Sequence, residues 1–137
     1  MKRLLIDTNI ILDLHANREP FYKDAAKLFS LADRGAVKLF ISALSVANIN
    51  YVLLRHGKPV KARQILRKLK LLTGILSLDE RIIDLALNDD AFSDFEDALK
   101  YYSALENNID VIINRNLKDF KNVALPVMTA AAFNDTV

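Results

Sequence analysis

The sequence holds no cysteine and no tryptophan, and only two histidines, three prolines and three glycines. Without cysteine there is no disulfide framework, no thiolate zinc site and no cysteine nucleophile, a composition that suits a reducing cytoplasm. The two histidines, His15 and His56, are too few and too scattered for a multi-histidine metal centre. They also leave Ser42 and Ser45 without an evident base, so serine hydrolysis has no support. Scarce glycine and proline exclude collagen-like and low-complexity classes. No uncharged apolar run approaches the roughly 18 residues needed to span a bilayer. The opening Met1-Lys2-Arg3-Leu4-Leu5-Ile6 is interrupted by Asp7-Thr8-Asn9 before an export signal could form. The expectation is a cytoplasmic protein with no membrane partner. Excess charge of one sign is missing too: Lys+Arg 19 against Asp+Glu 17 leaves a net charge of +2. A nucleic-acid partner must therefore be argued from local clusters.

What is present is apolar and regularly patterned. Hydrophobic residues make up 52% of 137 residues, enough for a real core in a single domain over 1–137. Short apolar runs at Leu4-Leu5-Ile6, Lys38 to Ile41, Gly74 to Leu76, Asp110 to Ile113 and Val123 to Leu125 read as strands. Helical stretches fall between them, at Phe21 to Asp33, Leu44 to Arg55, Pro59 to Leu72, Glu80 to Leu87 and Ser93 to Glu106. Apolar strands alternating with helices predict an α/β fold, a three-layer α/β/α with a central, mostly parallel sheet. Such sheets bind ligands outside the carboxyl ends of their strands. Two strands run straight into polar clusters, Asp7-Thr8-Asn9 and Asn114-Arg115-Asn116, which share one crevice if the strands are neighbours.

The acids carry the chemistry. Ser93 with Glu96 reads as a capping box for a helix whose apolar face is Phe95, Ala98, Leu99, Tyr102 and Leu105. Asp94 and Asp97, three apart on one helix side, repel unless a cation or donor lies between them. A solvated, dipole-favoured helix start accounts for them as well as a metal site does when this helix is considered alone. Asp7, at the end of a buried strand, costs desolvation energy unless it is paired or metal-bound; its bland role is to cap the short helix begun by Ile10-Ile11-Leu12. Asp119 follows the Asn114-Arg115-Asn116 turn and is placed to return its carboxylate to the same crevice.

These residues resemble the PIN domains, a class of small metal-dependent ribonucleases that includes the VapC toxins of bacterial toxin–antitoxin pairs. Leu5-Ile6-Asp7-Thr8-Asn9 is similar to the family's first motif and Ile41 to Asn48 to its second. Asp94-Phe95-Glu96-Asp97-Ala98-Leu99 is similar to the third, and Ile112-Ile113-Asn114-Arg115-Asn116 with Asp119-Phe120 to the fourth. The resemblance implies catalytic positions at Asp7, Asp97, Asp94, Asn48, Asn116 and Asp119, with Mg²⁺ or Mn²⁺ held by Asp7, Asp97 and Asp94. It implies RNA as substrate, a cognate antitoxin as partner and a homodimer. Two positions depart from the pattern: Asn48 stands where the family usually has Glu, and Asn116 where it usually has Asp. Neutral amides there weaken metal affinity and remove a general base. A PIN scaffold that binds RNA or a protein partner without cutting is therefore the alternative. A haloacid-dehalogenase-type phosphatase would need Asp at position 9, where the chain has Asn9.

For substrate contacts the expectation is Thr8, Asn9 and Arg115, the last placed beside the acids by its strand-end turn, with Arg18 and Arg55 as lesser candidates. The basic run Lys58 to Lys70 reads mainly as the solvated face of an amphipathic helix. Tyr102 is expected in the core; for Tyr51 and Tyr101 packing is favoured over stacking on bases.

Overall fold

The computed structural model describes residues 1–120 and 123–137. In chain order the elements are β1 (Lys2–Ile6), α1 (Thr8–His15), α2 (Tyr22–Asp33), β2 (Val37–Ser42), α3 (Ala43–Arg55) and α4 (Pro59–Leu72). These are followed by β3 (Gly74–Leu76), α5 (Glu80–Leu87), α6 (Phe95–Glu106), β4 (Val111–Ile113), a 3-10 turn (Leu117–Asp119), β5 (Val127–Met128) and α7 (Ala130–Asn134). The strands form one parallel sheet in the order β3-β2-β1-β4-β5. The expected three-layer α/β/α architecture is what forms.

Side-chain alternation explains the layers. Leu4, Ile6, Leu39, Ile41, Val111 and Ile113 join Ile11, Leu28, Ile49 and Phe133 of the helices on one face. Leu5, Phe40 and Ile112, the intervening residues, meet Tyr101 and Ala104 of α6 on the other. A strand buried on both sides has no polar face to spare, which is why these segments read as continuous apolar runs. Each fully buried Leu or Ile contributes about 1.5–3 kcal/mol relative to exposure. Gly74 is required by close approach: a Cβ there would lie 2.6 Å from the Phe40 ring, its partner in the β2–β3 register.

Three local expectations are corrected. The last strand is Val127–Met128, and 123–125 form an irregular approach to it. Pro126 separates the two; it lacks an N–H but its carbonyl accepts from Ile112 N at 3.0 Å, so the ladder starts there. Helix α6 starts at Phe95 with Asp94 as its cap, whose carboxylate accepts from Glu96 N at 2.8 Å, so the Ser93–Glu96 box does not form. The buried face of α6 is Asp97, Ala98, Leu99, Tyr101, Ser103 and Ala104, while Phe95 and Leu105 are exposed. Among the described residues no helix is long and apolar enough to cross a membrane.

Candidate active site

The order of the strands reverses across β1 and β4: the chain leaves β1 on one side for β2 and β3, then returns to its other side for β4. The crevice above their carboxyl ends is the ligand position of open parallel sheets. Asp7 stands at that point, its backbone N–H donating to Ile113 O at 3.1 Å across the pair. Asp7 has the backbone position of the α1 cap but makes no side-chain capping bond. Its carboxylate instead faces Lys100 of α6, with Nζ 2.6 Å from Oδ1. The same ammonium lies 4.0 Å from Oδ1 of Asp97, one turn earlier on α6. Two acids separated by 90 residues of chain thus converge on one cation.

The field around them is strongly negative. Burial raises the Asp97 carboxyl to about 6, and the neighbouring charges of Asp94, Asp119 and Asp7 add to the rise while Lys100 opposes it. For Lys100, burial favours the neutral amine, but the charge and contact of Asp7, with Asp97 and Glu96 behind, outweigh it and hold the ammonium above its ordinary value. Asp119 is oriented by amides: Asn116 Nδ2 donates to it at 3.1 Å and Asn114 Nδ2 at 3.4 Å. Asn116 also caps the 3-10 turn by accepting from Lys118 N. Beneath Asp7 and Lys100 the floor is Leu5, Ile6, Ile112 and Phe120, with Ser42 and Ser45 at its side.

Asp94, Asp119 and Asp7 therefore all lie near enough to act on Asp97. Asp94 joins through its charge, with one carboxylate oxygen committed to the helix cap. Asn48 is half-buried on α3, one turn beyond Ser45. Thr8 and Asn9 open α1 beside Asp7, and Thr8 Oγ1 is buried with no hydrogen-bond partner. Arg115 is a correction: it turns away from the acids to Asp13 of α1, 3.2 Å from Oδ1, with its guanidinium 4.2 Å from the centre of the Phe21 ring. Arg18 approaches the same carboxylate at 3.9 Å. Asp13 is fully buried, and a buried carboxylate left without a partner is costly, so the Arg115 guanidinium at 3.2 Å meets a need that solvent cannot. Arg55 lies over Tyr51, 5.8 Å from its ring centre. Tyr51 is 65% exposed, so packing does not explain it. Tyr101 is core, with its hydroxyl accepting from Ala124 N, and half-buried Tyr102 donates to Asp89 at 2.6 Å.

Sequence reasoning missed Lys100. A lysine three residues past Asp97 looks like one more solvated charge on an amphipathic helix; only the register that buries Tyr101 and Ala104 turns it inward. Among the described residues no three His, Cys, Asp or Glu side chains are grouped tightly enough to cage a metal by themselves. The donor chemistry still suits a hard divalent ion: Mg²⁺ takes one or two protein carboxylates and completes its shell with water and phosphate. Asp7 and Asp97 offer two such carboxylates, with Asp7 Oδ1 buried against Lys100 Nζ, 2.6 Å away.

The chain is 24% identical over 139 residues to "Ribonuclease VapC1" of Aquifex aeolicus (strain VF5), covering 96% of this chain and 93% of that one. Its fold matches a toxin–antitoxin complex from Klebsiella pneumoniae with a TM-score of 0.71 at 20% identity, over 93% of this chain and 97% of the other. It matches Mycobacterium tuberculosis VapC20, a sarcin-ricin loop cleaving toxin, with a TM-score of 0.64 at 12% identity, over 83% and 90% of the two chains. The PIN domain model aligns with residues 3–118, which include the ends of β1 and β4 and the acids Asp7, Asp94 and Asp97, and stop one residue short of Asp119. On that match, the chain belongs to the PIN domain family.

Proposed function

We propose that this PIN domain is an endoribonuclease that hydrolyses RNA phosphodiester bonds with Mg²⁺ or Mn²⁺ held by Asp7 and Asp97, and that it is the toxin of a toxin–antitoxin pair. The observation that carries the reading is the convergence of Asp7 and Asp97 at the β1–β4 switch point. A divalent ion bound there supplies charge to the scissile phosphate and lowers the pKa of an attacking water. The chain's own residues do the rest. Asp7 and Asp97 provide hard oxygen donors, and Asp94 and Asp119 deepen the negative field that concentrates cations. The apolar floor of Leu5, Ile112 and Phe120 limits water beneath the acids. Asp97, whose carboxyl is raised to about 6, would have to be deprotonated to hold a cation.

The partner reading rests on a second surface. Between α3, α4 and the edge strand β3 lies a groove of about 450 Å³ floored by Ile41, Val46, Leu66 and Ile75 and rimmed by Arg63, Arg67 and Lys70. An antitoxin segment with apolar and acidic side chains suits it, and the Klebsiella neighbour is itself a toxin–antitoxin complex. The homodimer expected from the family is part of the same reading, and light scattering checks it. A second reading, a PIN scaffold that binds RNA or a protein without cutting, is favoured by the amides Asn48 and Asn116.

An end-labelled structured RNA incubated with the protein and Mn²⁺ separates the two. Cleavage that disappears with chelator and in Asp7→Asn is expected. Cleavage indifferent to both, or no cleavage and no saturable Mn²⁺ binding by the wild type at any concentration that leaves it folded, overturns the nuclease.

A further inference from the structure

The site contains its own cation. Lys100 Nζ stands 2.6 Å from Asp7 Oδ1 and 4.0 Å from Asp97 Oδ1, and its side chain is only 13% exposed. Among the described residues these two carboxylates are its only ion-pair partners. The ammonium is therefore held by the same pair of acids that the nuclease reading assigns to the metal. A metal ion sits about 2.0–2.1 Å from a carboxylate oxygen when it is Mg²⁺. An ammonium nitrogen at hydrogen-bond distance from that same oxygen uses the same lone pairs and repels a second cation a few ångströms away. Both cannot occupy the place together.

We propose that Lys100 is a built-in competitor for the divalent-cation position, so that an ion enters only when the lysine swings its ammonium out of the crevice. The inference rests on the nuclease reading. The residue type suits the role: lysine has a flexible four-carbon stem and a strongly hydrated terminal charge, which makes release to water inexpensive compared with freeing a planar, bidentate arginine. The surrounding charges point the same way. With Asn48 and Asn116 neutral, the crevice acids Asp7, Asp94, Asp97 and Asp119 hold fewer negative charges than four acids plus those two positions could, and one of the charges is already matched by Lys100. Lys100 thus sets how tightly a cation is held.

The test compares Mn²⁺ binding by wild type, Lys100→Met and Asp7→Asn using calorimetry on the full chain. The Lys100→Met variant is expected to bind at least tenfold more tightly than wild type, and Asp7→Asn to lose binding. Equal saturable affinities for wild type and Lys100→Met overturn the competition while leaving the metal site standing. Absence of saturable binding in all three overturns the metal site and the competition with it. Because Lys100→Met removes a buried charge and can fail to fold, a second measurement uses the wild type alone. Lys100 acetylation by acetic anhydride, followed by mass spectrometry of the peptide, is expected to rise severalfold when Mg²⁺ is added, as the amine leaves the crevice. A rate unchanged by Mg²⁺ at concentrations that saturate the site overturns the proposal.

Discussion

Two buried carboxylates, Asp7 and Asp13, lie within one short stretch of chain and have opposite fates. Asp13 is 1% exposed on its side chain and is flanked by two arginines, Arg115 at 3.2 Å and Arg18 at 3.9 Å. Burial raises its carboxyl, and the charges of Arg115 and then Arg18 pull it back only in part. Arg115 is also held against Phe21, so its guanidinium is fixed at one face as well as at the edge that meets Asp13. Asp7 has a single lysine, at a crevice where the strand order reverses. The first pair ties α1 to the loop after β4 and is a fastener. The second leaves a charged carboxylate at a ligand position with a removable partner. Buried acid plus cation is thus no signature of function by itself; the cation's identity and the topology around it decide.

Breaking the fastener should have the largest effect. Arg115→Met strands Asp13 with only the more distant Arg18, and loss of one partner of a buried pair costs about 3–5 kcal/mol when nothing replaces it. With Arg18 still present, about 3 kcal/mol is expected in urea unfolding, with Mn²⁺ binding at the acids unchanged in the protein that remains folded. A loss of metal binding without a loss of stability would return Arg115 to the acidic crevice. Lys100→Met comes next: about 2 kcal/mol of stability lost in metal-free buffer, because Asp7 and Asp97 are left facing each other, and regained on adding Mn²⁺. Melting curves with and without the ion check it.

The next comparison uses pH. Asp97 is raised from 3.8 to about 6 in the folded chain. Between those values the native state binds more protons than the unfolded one, so stability falls as pH rises through the window and the loss is complete above about 6. Asp97→Asn removes that fall, leaving the variant more stable than wild type at pH 7 by about 1–2 kcal/mol and little different near pH 4. Identical stability curves from pH 4 to 7 would show that Asp97 is not burdened by its neighbours. The smallest effect belongs to a group outside both pairs. The Tyr102 hydroxyl, pushed up to about 12 chiefly by its hydrogen bond to Asp89, loses about 1 kcal/mol in Tyr102→Phe and leaves metal binding alone.

Much of the architecture follows from residue order. Strands buried on both sides announce themselves as apolar runs, and the polar clusters that end β1 and β4 mark the crevice before any coordinate is known. What stayed hidden depends on rotation and reach. The direction of Arg115 is set by Asp13, more than a hundred residues away, and by Phe21, neither of which its own neighbours in sequence reveal. Lys100 turns inward because Tyr101 and Ala104 fix the roll of α6 against the sheet, shifting the buried face away from Phe95 and Leu105. The Ser93–Glu96 pattern was a plausible start for that helix, but Asp94, one residue later, took the capping role. Pro126 displaced the last strand by its missing N–H.

The rung from the Asp7 amide to the Ile113 carbonyl makes the first acid of the crevice also the last ladder position of the central strand pair. Its aim is inherited from the interior. Trimming Ile6 or Ile113 by a methyl group, deep under the helices and touching no ion, would be felt as a tilt of that carboxylate, so the site can be detuned from within without altering any group that meets solvent.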